Sequence, residues 1–135
     1  MTTSLKKPEV FRRDYFPGIG DFFESFVDAN LTPEDLKGLD AILLDGWRLS
    51  EFDQENLAAT FKLLERANIA KVPVLVRLPK QIEAREEYSQ LLRWYGARML
   101  NAPELSSDDL EDRVKKACER FDSPQETADY LEAAL

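Results

Sequence analysis

The sequence predicts an α/β protein, a three-layer α/β/α sandwich around a mainly parallel sheet with an extra helix at the C terminus. Three observations carry this expectation. The apolar runs Ala41–Leu44 and Val72–Val76 lack the polar alternation of a strand with one wet face, so they suit strands buried on both sides. Between and after them, apolar residues recur at helical spacing over stretches long enough for a right-handed crossover between parallel strands. Strands alternating with helices in this way place helices on both faces of one sheet.

The elements follow in order along one chain. Residues 1–8 read as a flexible basic tail. Val10–Phe16 has the composition of a strand and is broken by Pro17, Gly18 and Gly20. Ile19, Phe22, Phe23, Phe26 and Val27 fall at i, i+3, i+4, i+7 and i+8, on one face of a helix. Thr32-Pro33-Glu34-Asp35 starts a short helix, with Thr as cap, Pro where its missing N–H is harmless and acids near the positive end of the dipole; Gly38 ends it. The run Ala41–Leu44 is closed by Asp45-Gly46, and Leu57, Phe61, Leu64 and Asn68 mark a helix from about Asp53 to Asn68. Val72–Val76 is closed by Pro79. Ala84, Tyr88, Leu91, Leu92 and Tyr95 form the next helical stripe, ended by Gly96, and Arg98–Leu100 is a short strand.

Two further helices complete the chain. Ser106-Ser107-Asp108-Asp109 starts one whose Leu110, Val114, Ala117, Cys118 and Phe121 face inward. Ser123-Pro124-Gln125-Glu126 starts the last with capping-box spacing, and its stripe is Thr127, Leu131 and Leu135 flanked by Ala128 and Ala134. Residues 9–122 thus make one α/β domain, and 123–135 a helix packed on that domain or on a partner.

Composition bounds the chemistry. The 135 residues carry 18 Lys+Arg against 26 Asp+Glu, a formal charge of −8, with 44% hydrophobic residues, which fits one compact domain. The chain has no His, which removes Ser-His and Cys-His nucleophile pairs and His-containing zinc sets. The lone Cys118 makes neither an internal disulfide nor a thiolate cage and is compatible with a reducing compartment, so a cytoplasmic location is expected. The N-terminal stretch lacks the apolar core of a signal peptide, and no run approaches membrane-spanning length. Lys6, Lys7, Arg12 and Arg13 against Glu9 give residues 1–13 a charge of +3, leaving −11 for the rest. That acidic body repels phosphates, so a nucleic-acid partner is not expected. Neither is a metal or cofactor.

From Leu31 onward the order of landmarks resembles a response-regulator receiver domain, the phosphate-accepting module of two-component signalling. Leu39–Asp45 looks like the family's third strand ending in the acceptor aspartate, and Trp47-Arg48-Leu49 continues into the loop after it. Val72–Val76 looks like the fourth strand, Trp94-Tyr95-Gly96-Ala97 resembles the end of the fourth helix, and Ala102-Pro103-Glu104-Leu105 with Asp108–Phe121 resembles the fifth loop and helix. The resemblance implies a flavodoxin-like (receiver-like) sheet and assigns Asp45 as the phosphoacceptor-like residue, with Asp14 beside it in an acidic pocket. The departures bear on function. The first loop offers only Asp14 where receivers hold magnesium with a cluster of acids, Leu78 stands where a hydroxyl meets the phosphoryl group, and Asn101-Ala102 stand where the family has a lysine. An aspartyl phosphate adds about −2 of charge that a cation and fixed donors must compensate.

The sequence therefore points to a pseudo-receiver, a non-catalytic signalling module that binds a protein partner. In the resemblance the fourth helix, fifth strand and fifth helix carry the partner surface, which selects Arg85, Arg93, Trp94 and Arg98; a large aromatic beside arginines is the composition of an interface anchor. Leu131 and Leu135 on the last helix are candidate contacts to a partner or to a second copy, as in a homodimer. A phosphorylatable receiver with Asp45 as acceptor is the alternative, as is a small nucleotide-handling enzyme: Gly46-Trp47-x-x-Ser50 resembles a loop of nucleoside deoxyribosyltransferase-like proteins, for which Glu55 is the candidate nucleophile. Against these stand plain structural roles, with Asp45 ending a buried strand, Asp53 and Glu55 complementing a helix dipole, and Tyr88 and Tyr95 serving as core aromatics.

Overall fold

A computed structural model describes residues 9–11, 32–45, 54–78 and 85–135. The elements are β1 (Glu9–Phe11), α1 (Pro33–Leu36), β2 (Ala41–Asp45), α2 (Gln54–Ala70), β3 (Val74–Arg77), α3 (Arg85–Trp94), β4 (Arg98–Met99), α4 (Ser107–Arg120) and α5 (Pro124–Ala134). The strands form one sheet in the order β1-β2-β3-β4. β2, β3 and β4 are parallel, with Ile42 opposite Val74 and Val76 opposite Met99. β1 runs antiparallel to β2, with Val10 opposite Ile42, so the sheet is mixed at this edge. The strand expected over Val10–Phe16 is present as Glu9–Phe11; the rest of it, Asp14 and the helix expected over 19–27 lie outside the described residues.

The period-two alternation of the strands divides the core between two faces. Ile42, Leu44, Val74, Val76 and Met99 meet Leu36 of α1, Leu63, Leu64 and Ala67 of α2 and Leu92 of α3 on one side. Ala41, Leu43 and Leu75 meet Leu110, Val114, Ala117 and Cys118 of α4 and Ala128 and Leu131 of α5 on the other. All five residues of β2 are buried, as its unbroken apolar run requires of a strand covered from both sides. The protein is thus mixed α/β, with helices packed on both faces of a small, largely parallel sheet and the last helix packed beside α4.

Helix boundaries follow capping chemistry. The Ser106 and Ser123 side chains accept from the N–H groups of Asp109 and Glu126 at the starts of α4 and α5. At the start of α1, Thr32 accepts from the Asp35 N–H while the Asp35 carboxylate accepts from the Thr32 N–H at 2.8 Å, a complete capping box. Helix α2 continues two residues past Asn68 and ends in a Schellman turn, the Val72 N–H donating to the Ala67 carbonyl and that of Lys71 to Asn68. This geometry puts Lys71 at φ +62°, a place usually taken by glycine. Helix α3 ends in the same turn, with Ala97 donating to Leu92 and Gly96, at φ +94°, donating to Arg93. The two ends are tied by Asn68, whose Nδ2 donates to the Tyr95 carbonyl at 2.8 Å.

Candidate functional site

In open α/β sheets the working surface lies at the carboxyl ends of the parallel strands. Here those ends are β2 at Asp45 and β3 at Arg77, which the parallel register sets side by side. Asp45 and Arg77 lie on the same sheet face as Leu43 and Leu75, beneath α4. Arg77 donates from Nε to Asp45 Oδ1 at 2.6 Å and from Nη2 to Oδ2 at 3.0 Å, and its Nη1 donates to the carbonyls of Ala102 and Leu105, both at 2.8 Å. The carboxylate side chain is 3% exposed and the guanidinium side chain 11%.

This arrangement has a definite chemistry. A planar guanidinium matched to both oxygens of a carboxylate is a strong, directional contact, and each partner neutralises the other where water is excluded. The same arginine pins the loop between β4 and α4 through two of its carbonyls. Nucleophilic attack by Asp45 on a phosphoryl donor needs an oxygen that the donor can reach, and both oxygens accept from Arg77 in a buried setting. Leu78, beside Arg77, is buried and apolar, and Asn101 is exposed with its backbone N–H donating to the Leu135 carbonyl at 3.1 Å. Asp14, Trp47 and the side chain of Glu55 lie outside the described residues, so the acidic pair of Asp14 with Asp45 and the enzyme-like loop have no geometry to report. Among the described residues, no three His, Cys, Asp or Glu side chains converge as a metal set.

The residues expected on the partner surface separate into three groups. Trp94 is 85% exposed at the end of α3 and stands out from the body of the protein, with Arg93 exposed beside it. Arg85 begins α3, and its side chain is outside the described residues. Arg98 is turned inward to the protein's own last helix: its guanidinium donates to Asp129 at 2.7 Å, Glu132 at 3.3 Å and Gln125 at 3.3 Å. Gln125 in turn donates to the Lys71 carbonyl. Arg98 is thus a clasp that fixes α5 to the amino end of β4. Leu131, 1% exposed, belongs to the core, where Ala128 and Leu75 are its neighbours in the same cluster. Leu135 is half-buried against that cluster. The apolar stripe of α5 therefore covers its own sheet.

Sequence reasoning missed Arg77. Its signal was the register: Asp45 and Arg77 occupy the last positions of two apolar runs that pair in parallel. It also missed that Gln125, Asp129 and Glu132 stand at i, i+4 and i+7, one helix face, opposite a strand that starts with arginine. Of the two tyrosines expected in the core, Tyr88 packs against it half-buried, whereas Tyr95 is 39% exposed and stacks on Phe61 at 4.3 Å between centroids.

On the outer side, α4 and α5 enclose a groove of about 470 Å³ lined by Leu105, Tyr130, Leu131 and Leu135 and by charged residues of α4. Arg120 stacks over Phe121 and Tyr130, 5.1 and 5.2 Å from the ring centroids. Lys116 pairs with Asp112 at 2.8 Å, and this hydrogen bond and charge hold the Lys116 ammonium above the ordinary lysine pKa. No helix among the described residues is long and apolar enough to cross a membrane. Comparison of the chain with protein-family models, with curated proteins and with solved structures yields no match.

Proposed function

We propose that this chain is a non-catalytic protein–protein interaction module of the pseudo-receiver type, built on a flavodoxin-like sheet and not controlled by aspartyl phosphorylation. The observation that carries the reading is the Asp45–Arg77 pair. The carboxylate at the acceptor-like position is buried and held at both oxygens by a guanidinium that also fastens the neighbouring loop. A site kept closed by the protein's own ion pair leaves regulation to the surface. Among the described residues the strongest surface feature is Trp94 with Arg93, because an exposed Trp beside a guanidinium combines two residue types that often anchor interfaces.

The test is an NMR titration of labelled protein with magnesium and then beryllofluoride. The amides of Asp45, Leu78 and Asn101 are expected not to move saturably; saturable shifts there would make the chain a phosphorylatable receiver instead. Trp94→Asp is expected to abolish binding of any partner recovered with the wild type while leaving the melting temperature unchanged. Retained binding by a folded Trp94→Asp protein would remove Trp94 from the contact surface.

A further inference from the structure

The outer face of α4 carries a second surface, independent of Trp94. Asp109, Asp112, Arg113, Lys116 and Arg120 stand at i, i+3, i+4, i+7 and i+11, so they lie along one stripe of the helix, and all five are exposed. The stripe forms one wall of the groove between α4 and α5. On the other wall Tyr130 is 41% exposed and Leu135 half-buried, which gives the face an apolar share.

Charge along the stripe is segregated, with acids toward the amino end of α4 and bases toward the carboxyl end. A helix with this order is complementary to itself when run antiparallel. A two-fold axis crossing the face between Asp112 and Arg113 brings Asp109 of each copy opposite Lys116 of the other, and Asp112 opposite Arg113; symmetry makes each contact twice. A parallel arrangement would oppose like charges instead. A uniformly acidic or uniformly basic partner would match only one sign of the stripe, whereas a second copy sets an unlike charge opposite each of Asp109, Asp112, Arg113 and Lys116. With two acids and three bases the stripe is not itself acidic, although the chain carries a net charge of −8.

We propose that the α4–α5 face is the interface of a two-fold homodimer, α4 of each copy lying in the groove of the other. The test is sedimentation velocity on the full chain from micromolar to millimolar concentration, with two variants made charge-uniform over residues 109–116, Asp109→Lys/Asp112→Lys and Arg113→Glu/Lys116→Glu. The wild type is expected to shift from monomer to dimer as concentration rises, and to shift less at high salt. Each variant alone is expected to dimerise at least about tenfold more weakly, because like charges then face each other. An equimolar mixture of the two restores the dimer.

The swap Asp109→Lys/Lys116→Asp keeps self-complementarity and is expected to dimerise as the wild type does, which guards against a variant that merely fails to fold. A wild type that stays monomeric throughout overturns the proposal. So does a dimer unaffected by either charge-uniform variant, or a mixture of folded variants that does not re-form the complex. None of these outcomes touches the reading of Asp45, which the beryllofluoride titration decides separately.

Discussion

At the scale of single residues, the most buried ion pair among the described residues is Asp45–Arg77. Two charges removed from water are costly unless each satisfies the other, and removing one partner leaves the second uncompensated. Asp45→Ala is therefore expected to lower stability by about 3–5 kcal/mol, read as a lower urea midpoint. Arg77→Met should cost a similar amount and also free the carbonyls of Ala102 and Leu105, speeding amide exchange in the β4–α4 loop. The double change Asp45→Leu/Arg77→Met should recover much of the loss, since an apolar pair of similar volume needs no solvation. Equal costs for single and double variants would show that the pair is held by something other than its mutual charge.

The two Schellman turns give opposite expectations from one geometry. Lys71 bears the left-handed backbone at φ +62° with a side chain, so Lys71→Gly should stabilise the protein by about 0.5–1 kcal/mol. Gly96 sits at φ +94° with the Asn68 amide against it, and a Cβ there would stand 2.6 Å from Asn68 Oδ1. Gly96→Ala should therefore destabilise by about 1–3 kcal/mol and break the bond from Asn68 to the Tyr95 carbonyl. Thermal melts of the two variants check both signs.

At the scale of elements, the capping box of α1 is a pH-sensitive joint. The Thr32 backbone N–H, and then its hydroxyl, donate to the Asp35 carboxylate and hold its pKa below the ordinary value. A carboxyl depressed in the folded state adds stability that is fully present above its unfolded pKa of about 3.9 and is lost as pH falls through the lower folded value. The amides of residues 32–36 are expected to lose protection in that acid range ahead of the rest of the described fold. Thr32→Val removes only the hydroxyl's share and should move the transition toward higher pH. An acid transition unaltered by Thr32→Val would assign it to another carboxylate.

The same elements show which parts of the fold were legible in the sequence. β2, β3 and the helices after them were readable because each states its own local rule: the unbroken run Ala41–Leu44, the caps Ser106 and Ser123, and the terminating Gly96. Lys71 hid the end of α2, since a side chain stands where the turn favours glycine. The direction of β1 was not readable, because three residues of edge strand carry no periodic signal of orientation. Contacts between distant positions were the least legible. Asp45 and Arg77 are 32 residues apart, and Arg98 and Asp129 are 31 apart. The aspartate drew attention by its place at the end of a strand, while the arginines that answer it and hold α5 became meaningful only once the register was known.

At the scale of the whole molecule, α5 is an integral part of the packed core. Thr127, Ala128 and Leu131 are 1%, 0% and 1% exposed, and the latter two share a cluster with Leu75, Leu100 and Leu110 on the α4 face of the sheet. Arg98 clasps this helix from β4, and the Asn101 N–H donates to the carbonyl of Leu135, the residue that caps it. A chain cut after Asp122 would uncover that cluster and leave Arg98 without its acids. Burial of this kind contributes roughly 25 cal/mol per Å² of apolar surface, so losing several buried side chains exceeds the few kcal/mol by which a small domain is stable. The truncated protein is expected to bind hydrophobic dyes, lose near-ultraviolet circular dichroism and unfold without a cooperative transition, with much of its helical signal retained. If the cut chain instead unfolded in a sharp two-state transition near the wild-type temperature, α5 would be an appendage on a self-sufficient domain, free to leave the sheet and present Leu131 elsewhere.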